Sequence, residues 1–492
     1  MEKTIKFLIA GALSFSLLLG VMPANEAAAA KKISLSTKKL TVTKGKSKTL
    51  KVKNTKKMVK WKILSGKKYI TLKKKDKTSV SIKGRKKGTA KVQAGIGKTK
   101  LTCRVTVKNA AESDHASKGL NQKDVKALRK IIAEQRGRGA GVSEALNSAE
   151  YSWKDGKLVG IDWSDMRLSG DLDMKTCVNL TNLSCGDNQL SSLDVSKNVN
   201  LTYLSCRGNE LSSLDVNKNV KLTNLYCEDN ELSNLDVSKN VNLKVLWCSN
   251  NQLNSLDVNK NVKLTELWCG ANELSSLDVS KNVKLTGLSC RGSRLSSLDV
   301  NKNANLTNLY CEDNKLSNLD VSKNVNLEEL WCRGNQLGSL DVSKNVNLTN
   351  LLCDSNQLSN LDVSKNVNLI NLSCGDNQLS SLDVSKNVNL TSLWCRGNQL
   401  GSLDVSQNIN LTVLWCSDNQ LGSLDVSKNI NLTSLSCREN QLGSLDVSKN
   451  VNLVELRCSD NQLSSLDLTN NTELRELSCD DAVVVTGFSH VV

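Results

Sequence analysis

The sequence predicts a mainly β protein: a parallel-stranded solenoid with short strands on both faces, preceded by a β-sandwich and a small helical cap. Three observations predict it. A cysteine returns every 21 residues from Cys185 to Cys479, fifteen times without insertion or deletion. Around it, leucines and asparagines hold fixed offsets, and a unit this short buries its apolar edge only by stacking on its neighbours. Upstream, residues 31–110 alternate apolar and basic side chains between glycine and asparagine turns, which is the two-residue period of half-buried strands.

The first copy, Leu180 to Asn200, reads LTNLSCGDNQLSSLDVSKNVN. It divides into two halves of the form L-x-x-L-x-apolar-x-x-N. Leu183 and Cys185 alternate in the first half, Leu193 and Val195 in the second, so each half is expected to carry one strand. Asparagine suits the corners between them, because its amide can bond exposed backbone and it tolerates unusual turn dihedrals. The second corner is Asn in every copy through Asn471, and the first is replaced only at Ser293 and Ala482. This pattern resembles the bacterial 21-residue subclass of leucine-rich repeats, the IRREKO type, from about Leu180 to Asp480, with Cys in place of the third consensus leucine. The resemblance implies a solenoid used for binding, residues 180–481, and no catalytic residue.

At the start of the chain, Lys3 and Lys6 precede the apolar run Phe7 to Val21 and the small-residue tract Ala27 to Ala30. That is the make-up of a secretory signal peptide over residues 1–30, so the protein is expected to be exported, secreted or associated with a Gram-positive-like bacterial surface. No further stretch reaches membrane-spanning length. Residues 482–492 are expected to form a closing strand and tail without a sorting signal, which argues against covalent wall attachment.

Residues 31–110 carry 26 Lys and 2 Arg against one acid, Asp76, a net charge of +27 in a chain whose total is +17. The remainder is therefore acidic by about 10 charges. An exported basic domain points to electrostatic attachment of Lys31–Ala110 to an anionic cell-wall polymer, phospholipid head groups or nucleic acid, the last without sequence specificity; the plainer reading is a spacer whose lysines keep it soluble. The segment resembles the group 2 bacterial Ig-like domain of invasin- and intimin-like surface proteins. Ile33, Leu40, Gly45, Trp61, the Gly88-Thr89-Ala90 run and Cys103 to Val107 carry that likeness, which implies a stalk or spacer. Residues 111–120 read as a linker. In the cap, residues 121–179, Asn121 with Asp124 three positions on opens an amphipathic helix through Val125, Leu128, Ile131 and Ile132 that stops at Gly137 to Gly139. Tyr151, Trp153, Ile161 and Trp163 then form a strand-rich piece expected to be core of the cap.

Chemistry has few places to reside. Of seventeen cysteines, fifteen share one inward ladder. Parallel in-register strands point their Cβ vectors the same way, which strains a disulfide, so the ladder reads as buried thiols. The histidines, His115 and His490, both lie outside the repeats, and no nucleophile-base constellation, phosphate loop or metal-ligand spacing can be assembled. Neither enzyme activity, cofactor nor metal is expected. An outward Asp row from Asp194 to Asp467 has a Lys three positions on in nearly every copy, which predicts a charge-balanced face; the glycine-rich calcium loops that could make it a metal site are missing.

The copies differ from one another mainly in the first half-repeat. The position before the cysteine is aromatic at Tyr226, Trp247, Trp268, Tyr310, Trp331, Trp394 and Trp415, and the position after it varies among residues such as Arg207, Glu228, Arg291, Glu312, Arg333 and Arg396. The cysteine faces in, so alternation turns these rings outward. Exposed aromatics flanked by charge mark an interaction surface. Those seven aromatics with Arg333 and Arg396 are the candidate ligand-binding residues, for an extracellular protein or glycan, in an adhesin-like protein analogous in architecture to internalins. The plainer reading is that the rings stack to stabilise the sheet and the solenoid is a spacer in a structural wall or matrix component.

Overall fold

The computed structural model describes residues 32–108, 117 and 119–488. The expected signal peptide, most of the expected linker and both histidines lie outside the described residues. The chain divides into two compact units at Lys118 and Gly119.

The first unit holds strands β1 (Ser34–Leu35), β2 (Lys39–Thr43), β3 (Ser47–Lys53), β4 (Lys60–Ser65), β5 (Ile70–Lys74), β6 (Ser79–Gly84), β7 (Gly88–Ile96) and β8 (Thr99–Lys108). They form two four-stranded sheets, ordered β1-β3-β6-β5 and β2-β8-β7-β4. Alternation does the sorting. In β3, Leu50 and Val52 are buried while Lys51 and Lys53 are exposed. Leu50, Ile70 and Ile82 from one sheet meet Val42, Val92 and Val105 from the other in a shared core, which leaves the lysines on the outer surfaces.

The second unit begins with helix α1 (Gln122–Arg138). Asn121 Oδ1 accepts from the N–H groups of Lys123 and Asp124, satisfying donors that the first turn leaves open, and Gly139 ends the helix in the left-handed region at φ 112°. Asp124 is only 2% exposed. Its carboxylate accepts from Leu158 N–H at 3.0 Å and from Asn179 Nδ2, which ties the helix to the first coil. The apolar face of α1 joins fully buried Trp163 and the first leucines in one continuous core that runs the length of the solenoid.

Strands β9 (Tyr151–Lys154) and β10 (Lys157–Asp162) form a hairpin, and β10 pairs in parallel with Asn182–Ser184, the first repeat strand. A three-residue strand then recurs once per coil to Glu476–Ser478, each parallel to the next and shifted by 21 residues. Inside, Leu330 and Cys332 are fully buried, and the cysteines are free thiols. Burial pushes the thiols of Cys185 and Cys248 up to about 12.

Both corners are held by amides that reach from one coil to the last. At the first, Asn335 Nδ2 donates to the carbonyls of Cys311, Cys332 and Arg333, and its Oδ1 accepts from Leu316 N–H at 3.0 Å. At the second, fully buried Asn345 donates to the carbonyls of Val321 at 3.0 Å and Asn324 at 2.8 Å.

The second half-repeat departs from the expectation of strands on both faces. It pairs as a strand only at the two ends of the solenoid, Gln189–Asp194 with Ser169–Asp173 and Ser465–Asp467 with Val484–Thr486. Between them its donors turn elsewhere. Asp236 takes Ser238 N–H at 2.9 Å, Leu232 N–H goes to Asn251 Oδ1 at 2.9 Å, and a single backbone bond, Gln252 N–H to Leu232 carbonyl, crosses between coils there. A ladder needs successive residues to pair, and here they do not. The Asp row is likewise not chiefly a partner for lysine: it caps the turn that follows, although at the first coil Asp194 also meets Lys175 at 2.8 Å.

Two measurements follow from this packing. Leu330→Ala is expected to cost about 2–5 kcal/mol in denaturant unfolding, and Asn345→Ala about 1–3 kcal/mol because two buried carbonyls lose their donor. The backbone N–H of Ser238, with its hydroxyl, holds Asp236 below the usual carboxylate value of 3.8, and the Lys175 and Ser196 contacts bring Asp194 to about 2. A depressed folded-state value adds stability that is complete above pH 3.8 and is lost as pH falls toward 2. Thermal melts stepped from neutral to acid should therefore decline only in that window; a melting temperature indifferent to it would refute the assignment.

Candidate functional site

Each repeat strand buries its middle leucine and turns the two flanking residues away from the core. Leu246 is fully buried, with Val245 and Trp247 half-exposed on either side. In-register pairing then sets Tyr226 opposite Trp247, Trp247 opposite Trp268, and Tyr310 opposite Trp331. At the spacing of neighbouring strands, about 4.8 Å, rings in such a column must touch. Centroids lie 5.1 Å apart for Tyr226 and Trp247, 4.5 Å for the stacked pair Trp247 and Trp268, and 4.7 Å for Tyr310 and Trp331.

The column has a gap at Ser289, across which Trp268 and Tyr310 meet edge-on at 6.4 Å. Beyond Trp331 it holds Leu352 and Ser373, and only then the registered pair Trp394 and Trp415. The seven predicted rings share one face but form two groups. The first group also contains Tyr203, 5.3 Å from Tyr226, which the sequence reading missed. Its signal was present, since Tyr203 has the same strand parity as Ser205 in the aromatic column.

Neighbouring outward residues orient the rings. Trp247 Nε1 donates to Glu266 at 3.3 Å, the Tyr310 hydroxyl donates to Glu329 at 2.6 Å, and Trp415 Nε1 donates to Ser434 Oγ at 3.0 Å. Trp268 and Trp415 remain the most open, at 37% and 36% exposure.

In the row after the cysteine, Arg396 pairs with Asp376 at 2.9 Å and Arg207 with Asp187 at 2.8 Å, while Arg333 is exposed. The acids of this row behave differently. Glu228 and Asp354 are half-buried and Glu312 is 5% exposed; in all three, desolvation pushes the carboxyl above its usual value. Two hollows open on the face. One, of about 420 Å³, is bounded by Trp268, Tyr310, Trp331, Glu228 and Glu312, and the other, of about 330 Å³, by Trp415, Arg396, Arg438 and Arg457. Among the described residues no group of three or more His, Cys, Asp or Glu side chains could hold a metal ion, and no helix is long and apolar enough to cross a membrane.

The 21-residue coil, the parallel sheet that runs through every coil and the buried Asn and Cys columns define a leucine-rich-repeat solenoid. The functional domain of InlJ from Listeria monocytogenes, whose structure is described as including a cysteine ladder, matches with a TM-score of 0.55 and 35% identity over 66% of this chain and 68% of that one. This chain belongs to the internalin family of leucine-rich-repeat proteins represented by InlJ. The plant peptide hormone receptor RGFR1 in complex with RGF2 shares the fold at a TM-score of 0.58 and 22% identity over 67% of this chain and 64% of that one. The leucine-rich effector YopM from Yersinia pestis does so at 0.50 and 20% over 73% and 99%. No protein-family profile and no curated sequence matches the chain.

Glu312 offers a direct check on this geometry. Its raised folded-state value means that the native state disfavours the ionised form, so Glu312 lowers stability once pH rises above the ordinary carboxylate value. Glu312→Gln is expected to melt above the parent at pH 7, with the difference vanishing in melts near pH 4.

Proposed function

We propose that this is an exported, non-enzymatic, adhesin-like surface protein that recognises an extracellular protein or glycan through the aromatic face of its solenoid. The observation that carries the reading is the confinement of both aromatic residues and copy-to-copy variation to one outward face. The inward positions and the second half-repeat scarcely change. A stack needs only its buried columns to fold, so tryptophans repeated on the solvent side answer to something other than coil stacking. Membership of the internalin family supports the binding role. Tyr226, Trp247, Trp268, Tyr310, Trp331, Trp394 and Trp415, with Arg333 and Arg396, are the proposed contact residues.

In the same reading the repeats are of the IRREKO type, and residues 31–110 form an Ig-like module whose outward lysines contact an anionic wall polymer. That contact would be largely electrostatic and would weaken steeply with added salt.

The test compares the full chain with a variant in which Trp247, Trp268, Trp331, Trp394 and Trp415 are all changed to Ser. Both are applied to host-cell surfaces, glycan arrays and purified cell wall. The parent is expected to bind a protein or glycan that the folded variant does not. If the two bind alike, and only to wall in a salt-sensitive manner, the solenoid is a spacer and the basic unit does the binding.

A further inference from the structure

We propose that the hollow at Ser289 is a slot for a basic side chain, lysine or arginine, presented by a protein partner. The inference rests on the reading of the aromatic face as a contact surface and names what one part of it takes.

The coil around Ser289 interrupts the run of rings and also lacks its first-corner amide. Ser289 stands where the neighbouring coils have Trp268 and Tyr310, and Ser293 stands where the first-corner Asn belongs. Loss of the ring opens a hollow of about 420 Å³ walled by Trp268, Tyr310 and Trp331. Glu312 and Glu228 line it as well, and the Oε2 atom of each is buried without a hydrogen-bond partner, as is Trp331 Nε1. The second-corner asparagines also have an unpartnered Oδ1, but those are neutral amides sealed inside the stack that already donate two bonds each. Glu312 is an acid, 5% exposed, at the wall of an open hollow.

The charges facing Glu312 do not resolve this. Its own backbone N–H and the guanidinium groups of Arg291 and Arg333 favour the ionised form, Asp313 opposes it, and withdrawal from water outweighs them all. A carboxylate withdrawn from water is stabilised by a cation or a donor brought to it. The lining itself holds Glu228, Asp229 and Glu312 against Arg291 and is net negative, with Arg207 and Arg333 close by but outside it. An ammonium or guanidinium group would answer the unpaired oxygens and lie against ring faces whose quadrupole attracts cations. A neutral ligand would leave the charges unmet, and an anion would be repelled. The second hollow, beside Trp415, is lined by Arg396, Arg438 and Arg457 and has no such acid surplus, so it serves as an internal control.

The experiment uses the full chain labelled with 5-fluorotryptophan and followed by fluorine NMR. The probes are N-acetyl-lysine methylamide and N-acetyl-arginine methylamide, with N-acetyl-norleucine methylamide and a methyl glucoside as uncharged controls. The basic probes are expected to give saturable shifts at Trp268 and Trp331 but not at Trp394 or Trp415. Affinity should fall about tenfold or more in Glu312→Gln, which stays folded, and vanish in Ser289→Trp, which refills the gap. Equal shifts from norleucine amide or the glucoside, no saturable shift from either basic probe, or undiminished binding by Glu312→Gln would overturn the proposal. The two readings fail separately. Basic probes that bind while the five-Trp variant keeps every partner leave the slot and remove the contact face; a partner lost with the tryptophans while basic probes fail does the reverse.

Discussion

The interaction on which the solenoid depends is the asparagine amide that reaches back one coil. Stacking a chain on itself in register places the corner carbonyls of every coil against the next coil, away from water, where an unmet acceptor is costly. Asn345 meets two of them with the two hydrogens of one short side chain, and Asn335 meets three while taking a backbone N–H in return. The one interior coil that lacks the first-corner amide shows what is lost. Ser293 has a buried hydroxyl without a partner, and at that corner only backbone bonds and the Asn314 amide of the next coil remain to link the coils.

Register fixed by the corners decides what every other position meets. Each inward residue packs on copies of itself, so the inside converges on leucine, valine and cysteine. A thiol is small enough for the ladder and is deactivated by burial, which drives its ionisation far up. Outward residues meet solvent and their own copies one coil away, and there the chain is free to vary. Rings in that column touch because the pairing leaves them no other spacing. The same rule brings Glu228 and Glu312, from the row after the cysteine, to the hollow between the rings, where their charge is desolvated.

The face therefore combines stabilising and destabilising parts. Stacked Trp247 and Trp268 add favourable ring contacts to the sheet. Buried Glu312 works against folding, because withdrawal from water disfavours its ionised form.

Sequence by itself determined the 21-residue coil, the identity of the buried columns, the outward column of rings, the start of α1 at Asn121 and its end within Gly137 to Gly139. These follow from local rules: two-residue alternation, helix capping and exact repetition. Only the tertiary structure decided that the second half-repeat is not a strand between the ends of the solenoid, because that depends on whether Leu232 N–H bonds to the next coil's backbone or to Asn251. It also decided that the rings fall into two groups, that Tyr203 joins the first, and that Glu312 is buried at the wall of the hollow while Arg333 stays in solvent. Each of these depends on side chains from different coils competing for the same space and the same donors, a competition that a reading along one coil does not contain.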